Sequence, residues 1–167
     1  MRREAGVCIR LVGEGELWGV WFGMRPEIPF EEWEKRQLPE ITSDVMWKMD
    51  SLRVAFYLLE LARSDLPALR RAYGMERVAT QLIRAVGSIG ANLTEGFSRA
   101  TLPDRARFFS YALGSVRESI WWYATARDGL DEDLFRRRLV VLVRARRLLV
   151  ATLRRTHDRM KNPPFRP

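Results

Sequence analysis

Glu95 and Glu118 are the carboxylates in this chain best placed to share a ligand. Glu95 follows Asn92 by one helical turn, and Glu118 follows Ser115 by one turn. Hard cations take oxygen ligands, so two carboxylates and an Asn amide would suit one. The same residues also suit a buried polar network. In it Glu95 or Glu118 pairs with Arg84, Arg99 or Arg107, while Ser88, Asn92 and Ser115 satisfy backbone groups. The network is the preferred reading, with no metal and no cofactor expected. Such groups set helix register more than they add stability. Glu95→Ala is then expected to unfold the protein or disturb its assembly.

Other catalytic constellations are missing from the sequence. There is one histidine, His157, and one cysteine, Cys8. A di-metal bundle site needs Glu-x-x-His pairs on two helices, and a zinc site needs more Cys and His ligands. No glycine-rich phosphate loop occurs, because Gly87-Ser88-Ile89-Gly90 falls inside a helical pattern. One group of helical-bundle ribonucleases pairs an Arg with a following His. Here Val150, Ala151 and Thr152 stand where that Arg would be. His157 reads as an exposed residue near a helix end, and no catalytic residue is assigned.

Phosphate chemistry is better supplied. Of 29 basic side chains 26 are Arg, whose planar fork of donors matches phosphate. Residues 1–43 carry 6 basic and 8 acidic groups, whereas residues 44–167 carry 23 and 13, so the excess charge belongs to the second part. The densest run is Arg136, Arg137, Arg138, Arg144, Arg146, Arg147, Arg154, Arg155, Arg159 and Lys161. Only Glu132, Asp133 and Asp158 are set against it. A basic helical face is the footprint of a nucleic-acid binder. It is also the composition of a solvated face, or of one that pairs with acids of a neighbouring subunit. Trp121-Trp122-Tyr123 resembles a base-stacking platform. At helical spacing, though, Tyr123 and one Trp belong to the core or to a subunit interface.

Four long helices are needed to position these residues. The first is expected over 43–64, capped by Ser43 or Asp44, with Val45, Met49, Leu52, Phe56 and Leu59 inward. A loop over 65–74 containing Pro67 follows. The second helix is expected over 75–100. Met75, Ala79, Leu82, Val86, Ile89, Leu93 and Gly96 alternate in steps of four and three along one face. Gly87, Gly90 and Gly96 each cost about 1 kcal/mol in a helix, which suggests close approach of another backbone. The third helix is expected over 103–127, with Thr101 or Asp104 as cap and Gly129 as its end. Phe109, Leu113, Val116, Ile120 and Tyr123 form its inner face, with Gly114 and Ser115 as a notch. If these two helices pack antiparallel, the Asn92–Glu95 and Ser115–Glu118 regions could face each other. The fourth helix is expected over 131–159 and is stopped by Asn162-Pro163-Pro164. The fold class is therefore all-α, an antiparallel up-and-down four-helix bundle over 43–160, followed by a tail over 161–167.

The run Gln81-x-x-Arg84-Ala85-x-x-Ser88-Ile89-x-x-Asn92-Leu93-x-Glu95-Gly96 leads to Arg99, Arg107-Phe108 and Ala112-x-Gly114-Ser115-x-x-Glu118. It resembles the core signature of the four-helix-bundle family of 23S rRNA intervening-sequence proteins. That family is similar in turn to the accessory variability determinant of diversity-generating retroelements. The resemblance implies a homopentameric ring and an association with RNA or DNA. It also implies an alternative role, as a protein-interaction scaffold that serves a retroelement reverse transcriptase. One departure is Gly90, where many relatives have proline. Residues before about Glu27 match nothing in the family.

Residues 1–42 read as an extension and lead-in. Val7 to Val12 and Glu16 to Phe22 are β-prone and flank Gly13-Glu14-Gly15, a pattern compatible with a β-hairpin that would lean on the bundle. Another reading starts translation at Met24 and leaves this segment outside the native domain. Pro26 to Ile41 is expected to be extended or briefly helical, with Trp33 as an anchor. No apolar run approaches the roughly 20 residues that span a membrane. With a lone cysteine and no membrane partner, a cytoplasmic compartment is expected.

Overall fold

A computed structural model describes residues 27–162. The proposed hairpin, the Met24 start and the Pro163–Pro164 stop lie outside the described residues. In chain order come α1 (Phe30–Lys35), α2 (Pro39–Thr42), a 3₁₀ turn (Val45–Lys48), α3 (Asp50–Arg71) and α4 (Glu76–Ser98). Then follow α5 (Leu102–Thr125), a second 3₁₀ turn (Arg127–Gly129) and α6 (Glu132–Lys161). No strand occurs among the described residues, and the long helices α3 to α6 form an antiparallel bundle. No helix among them is long and apolar enough to cross a membrane.

The apolar rhythm of α4 decides its inner face. Ala79, Leu82, Val86, Ile89 and Leu93 are all buried in the central core, as their spacing requires. Phe109, Leu113, Val116 and Tyr123 line the core from α5, with Ile120 partly buried against it. Ends are set by local chemistry. Thr101 caps α5 by accepting from the Asp104 backbone N–H at 3.2 Å. The Asp131 carboxylate caps α6 by accepting from the Asp133 and Leu134 N–H groups at 3.0 and 3.1 Å.

The first long helix departs from expectation. It begins at Asp50, and Asp44 caps only the 3₁₀ turn before it. It also runs through Asp65 and Pro67 to Arg71, where a loop over 65–74 is the sequence-based expectation. Pro67 forfeits one backbone hydrogen bond. The residues around it are held by burial: Asp65 and Leu69 are both in the interior. Tertiary contacts therefore carry the helix across a residue that would break it in isolation. The real turn is short, and Gly74 supplies its left-handed residue at φ 74°.

The inner face of α3 is also rotated from the expected one. Leu52, Ala55, Leu58, Ala62 and Leu69 are buried in the core, whereas Val45 and Phe56 are exposed. A second apolar group sits outside the main core, where Trp33, Tyr57 and Leu61 are buried with Ile28, Phe30, Trp47 and Val141 against them. So α3 is apolar on two sides, and the lead-in covers the second. Trp33 is the anchor, and its indole Nε1 donates to Glu60 at 2.6 Å. The Tyr57 hydroxyl donates to the Ile28 carbonyl at 2.8 Å. Gly129 closes the second 3₁₀ turn without a positive φ. A Cβ there would meet Ala72 and Leu69 at 3.2 Å, so the position is chosen for space.

Candidate nucleic-acid interface

Helix α6 places its ten basic residues on different faces. Arg138 is 2% exposed and belongs to the interior. This corrects its assignment as a phosphate contact. Its Nε and Nη2 donate to the two Asp65 oxygens at 2.8 and 2.9 Å, and its Nη1 donates to Glu27 at 2.9 Å. The Tyr123 hydroxyl donates to the same Asp65 carboxylate at 2.8 Å. Burial alone would pull the Arg138 pKa down, but the Asp65 and Glu27 carboxylates raise it, so the guanidinium stays charged. Burial, with the Asp65 carboxylate beside it, pushes the Tyr123 hydroxyl well above its ordinary 10.0. This is a buried polar network, and it ties α3, α5, α6 and the lead-in together.

The network expected around Glu95 is not buried and does not cross between helices. Glu95 pairs with Arg99 one turn along on the surface. Ser88 donates to the Arg84 carbonyl, and Asn92 to the Ser88 carbonyl, both at 2.8 Å. Ser115, though buried, donates to the Tyr111 carbonyl one turn back. Arg107 pairs with Asp104 at 3.1 Å, and Glu118 accepts from the Trp122 indole at 3.2 Å. The helix register explains the separation. Gly96 faces Phe108 and Phe109, so Glu95 lies opposite the start of α5, and Glu118 is roughly two and a half turns further along. Among the described residues no group of three His, Cys, Asp or Glu side chains could hold a metal ion.

Asp65 and Tyr123 were not legible as partners from the sequence. An Asp two residues before a Pro reads as turn chemistry, and Tyr123 reads as core. The available signal was Arg138 itself, whose spacing from Phe135, Leu142, Ala145 and Leu149 puts it on the apolar side of α6.

The other basic residues are exposed, with different degrees of freedom. Arg136 pairs with Glu132 at 3.0 Å, Arg137 with Glu27 at 3.2 Å, and Arg144 lies 4.5 Å from the Phe30 ring centroid. Arg146, Arg147, Arg154 and Arg155 have no carboxylate partner among the described residues. They surround Val150 and Ala151 in a shallow groove on the outer face of α6. Arg159 and Lys161 continue the charge beyond it, and His157 is exposed beside them. Trp121 is 67% exposed, Trp122 packs on the core and Tyr123 is buried, so the aromatic run offers one free ring.

Residues 58–136 match the family model described as 23S rRNA-intervening sequence protein. Over that span the chain is similar to the 23S rRNA-intervening sequence protein family. No curated protein matches it. The family match takes in Asp65, the α4–α5 signature and Tyr123, and it ends at Arg136. The four arginines around Val150 lie beyond the matched residues.

Proposed function

We propose that the protein is a non-enzymatic, oligomeric RNA-binding protein of the cytoplasm, whose outer α6 face contacts nucleic-acid phosphates. One observation carries this reading. Arg146, Arg147, Arg154 and Arg155 crowd one exposed face with no carboxylate partner among the described residues. An arginine with no acid beside it keeps its whole donor fork for an outside anion. The family name associates relatives with ribosomal RNA, which makes RNA the first ligand to try. Helix α6 carries no exposed Phe, Tyr or Trp, so this face reads backbone charge and not base identity. DNA is the comparison ligand.

The test is filter binding of RNA and DNA over a salt series, with the wild type beside Arg147→Ala/Arg154→Ala. Each phosphate contact contributes about 0.9 to the log–log salt slope on duplex DNA, so the double variant should lower the slope by roughly 2. Both positions are exposed, so the fold should be unchanged. Absence of binding even at low salt would sink the reading and favour the scaffold alternative, in which the basic face docks a protein assembly.

A further inference from the structure

The antiparallel order brings the end of α4, the start of α5 and the end of α6 to the same end of the bundle. At the α4–α5 turn the surface alternates cations and rings. The Arg99 guanidinium lies 4.9 Å from the Phe108 ring centroid, and that of Arg107 lies 5.6 Å from it. Arg105 lies 6.0 Å from the Phe97 ring. Tyr111 stands edge-on to Phe108 at 5.8 Å between centroids and is 53% exposed.

Close helix contact builds this cluster. A Cβ on Gly96 would meet the Phe109 ring at 2.8 Å and Phe108 at 3.0 Å, so only glycine lets α5 sit there. Phe109 then enters the core and Phe108 is left half-buried at the rim. The Arg105 Nε donates to the Arg99 carbonyl at 2.6 Å, which ties the turn to the first turn of α5. Glu95 and Asp104 neutralise Arg99 and Arg107 in part, while Arg105 has no carboxylate partner among the described residues. Rings and guanidinium planes together are the chemistry that takes unstacked bases. Both stack on a base, and the spare N–H groups take phosphate. The α6 face offers charge without rings. The α4–α5 turn offers both.

We propose that the α4–α5 turn is a second nucleic-acid surface, which takes the unpaired bases of single-stranded RNA on Tyr111 and on the arginines packed against Phe108 and Phe97. It rests on the α6 reading only for the class of ligand.

The test uses the full chain, fluorescein-labelled oligouridine and an RNA duplex of the same length, followed by fluorescence anisotropy. Tyr111→Ala should weaken oligouridine binding roughly tenfold, since stacking on one ring is worth that much. Duplex binding should be unchanged, as should the salt slope for both probes. Arg147→Ala/Arg154→Ala should weaken the duplex and lower its slope. If Tyr111→Ala leaves oligouridine binding intact, this proposal fails while the α6 reading stands. If oligouridine binding depends on Tyr111 but the duplex ignores the α6 arginines, the α6 reading fails and this one stands. A changed sedimentation coefficient for Tyr111→Ala would also overturn the proposal, because the ring would then lie between copies of the chain.

Discussion

Two helical carboxylates, Asp65 and Glu95, have opposite energetic weight. Asp65 is buried and holds Arg138 through two bonds and Tyr123 through a third. Asp65→Ala leaves a buried guanidinium with Glu27 as its remaining acid and should cost about 3–5 kcal/mol. Glu95 pairs with an exposed Arg99 one turn away, and pairs of that kind contribute about 0.3–0.5 kcal/mol. Glu95→Ala should therefore leave the protein folded, against the expectation from sequence. Urea denaturation of both variants checks the contrast. Tyr123 adds a pH dependence. Its folded pKa lies above the ordinary 10.0. Between those two values the unfolded chain has lost the proton and the native state keeps it. Stability is thus intact below the ordinary value and falls as pH rises above it, by up to about 1.4 kcal/mol per pH unit. Tyr57, also raised by burial, adds a slope of the same sign. Tyr123→Phe should flatten the fall without abolishing it. An unchanged alkaline slope in that variant would refute the assignment.

At the scale of elements, the three glycines of α4 separate into two kinds. Gly96 is required by packing, because a methyl group there runs into the Phe109 ring. Gly96→Ala should destabilise by about 1–3 kcal/mol. Gly87 and Gly90 are not so constrained, since a Cβ would make ordinary contact with Leu59 at 3.9 Å and Ala55 at 4.0 Å. Gly90→Ala should gain up to about 1 kcal/mol from helix propensity in the monomer. Thermal melts of the two variants should move in opposite directions. The sequence shows three glycines at similar cost; the distance to α5 distinguishes them. The same lesson holds for α3. Its period identifies a helix, but Pro67 argues for a stop, and only the burial of Asp65 and Leu69 on either side explains why the helix continues.

On the scale of the whole molecule, Phe56, Leu59, Gly87, Gly90, Ala91 and Thr94 line an outer groove between α3 and α4. Phe56 is exposed there, and the two glycines are not needed by the protomer's own packing. In the proposed oligomer, this groove is one surface that a second copy can cover. Phe56→Glu should reduce assembly with little loss of monomer stability, measured by sedimentation velocity against circular dichroism. Assembly that is unaffected would move the interface elsewhere. An oligomer would also repeat the α6 face, so that several weak phosphate contacts act together. The lead-in affects the same balance, because Glu27 and Phe30 engage Arg137, Arg138 and Arg144 and leave the outer four arginines for a ligand.

The sequence by itself determined the helical class, the inner faces of α4 and α5, the starts of α5 and α6, and the concentration of arginine in α6. These follow from periodicity, capping and composition, which are local properties of the chain. Only the tertiary structure decided which polar groups are buried together. Asp65 and Arg138 are 73 residues apart and meet across two helices, and nothing local in either segment encodes the partner. Register decided the rest. The short turn between Ser98 and Leu102 keeps Glu95 near the start of α5, far from Glu118. Gly96 takes the close contact with Phe109, and Glu95 is left on the surface. The stretch around Gln81 to Glu118 therefore carries the family signature and the helix contact. The buried network lies between other elements, and the free arginines lie on the outer face of α6.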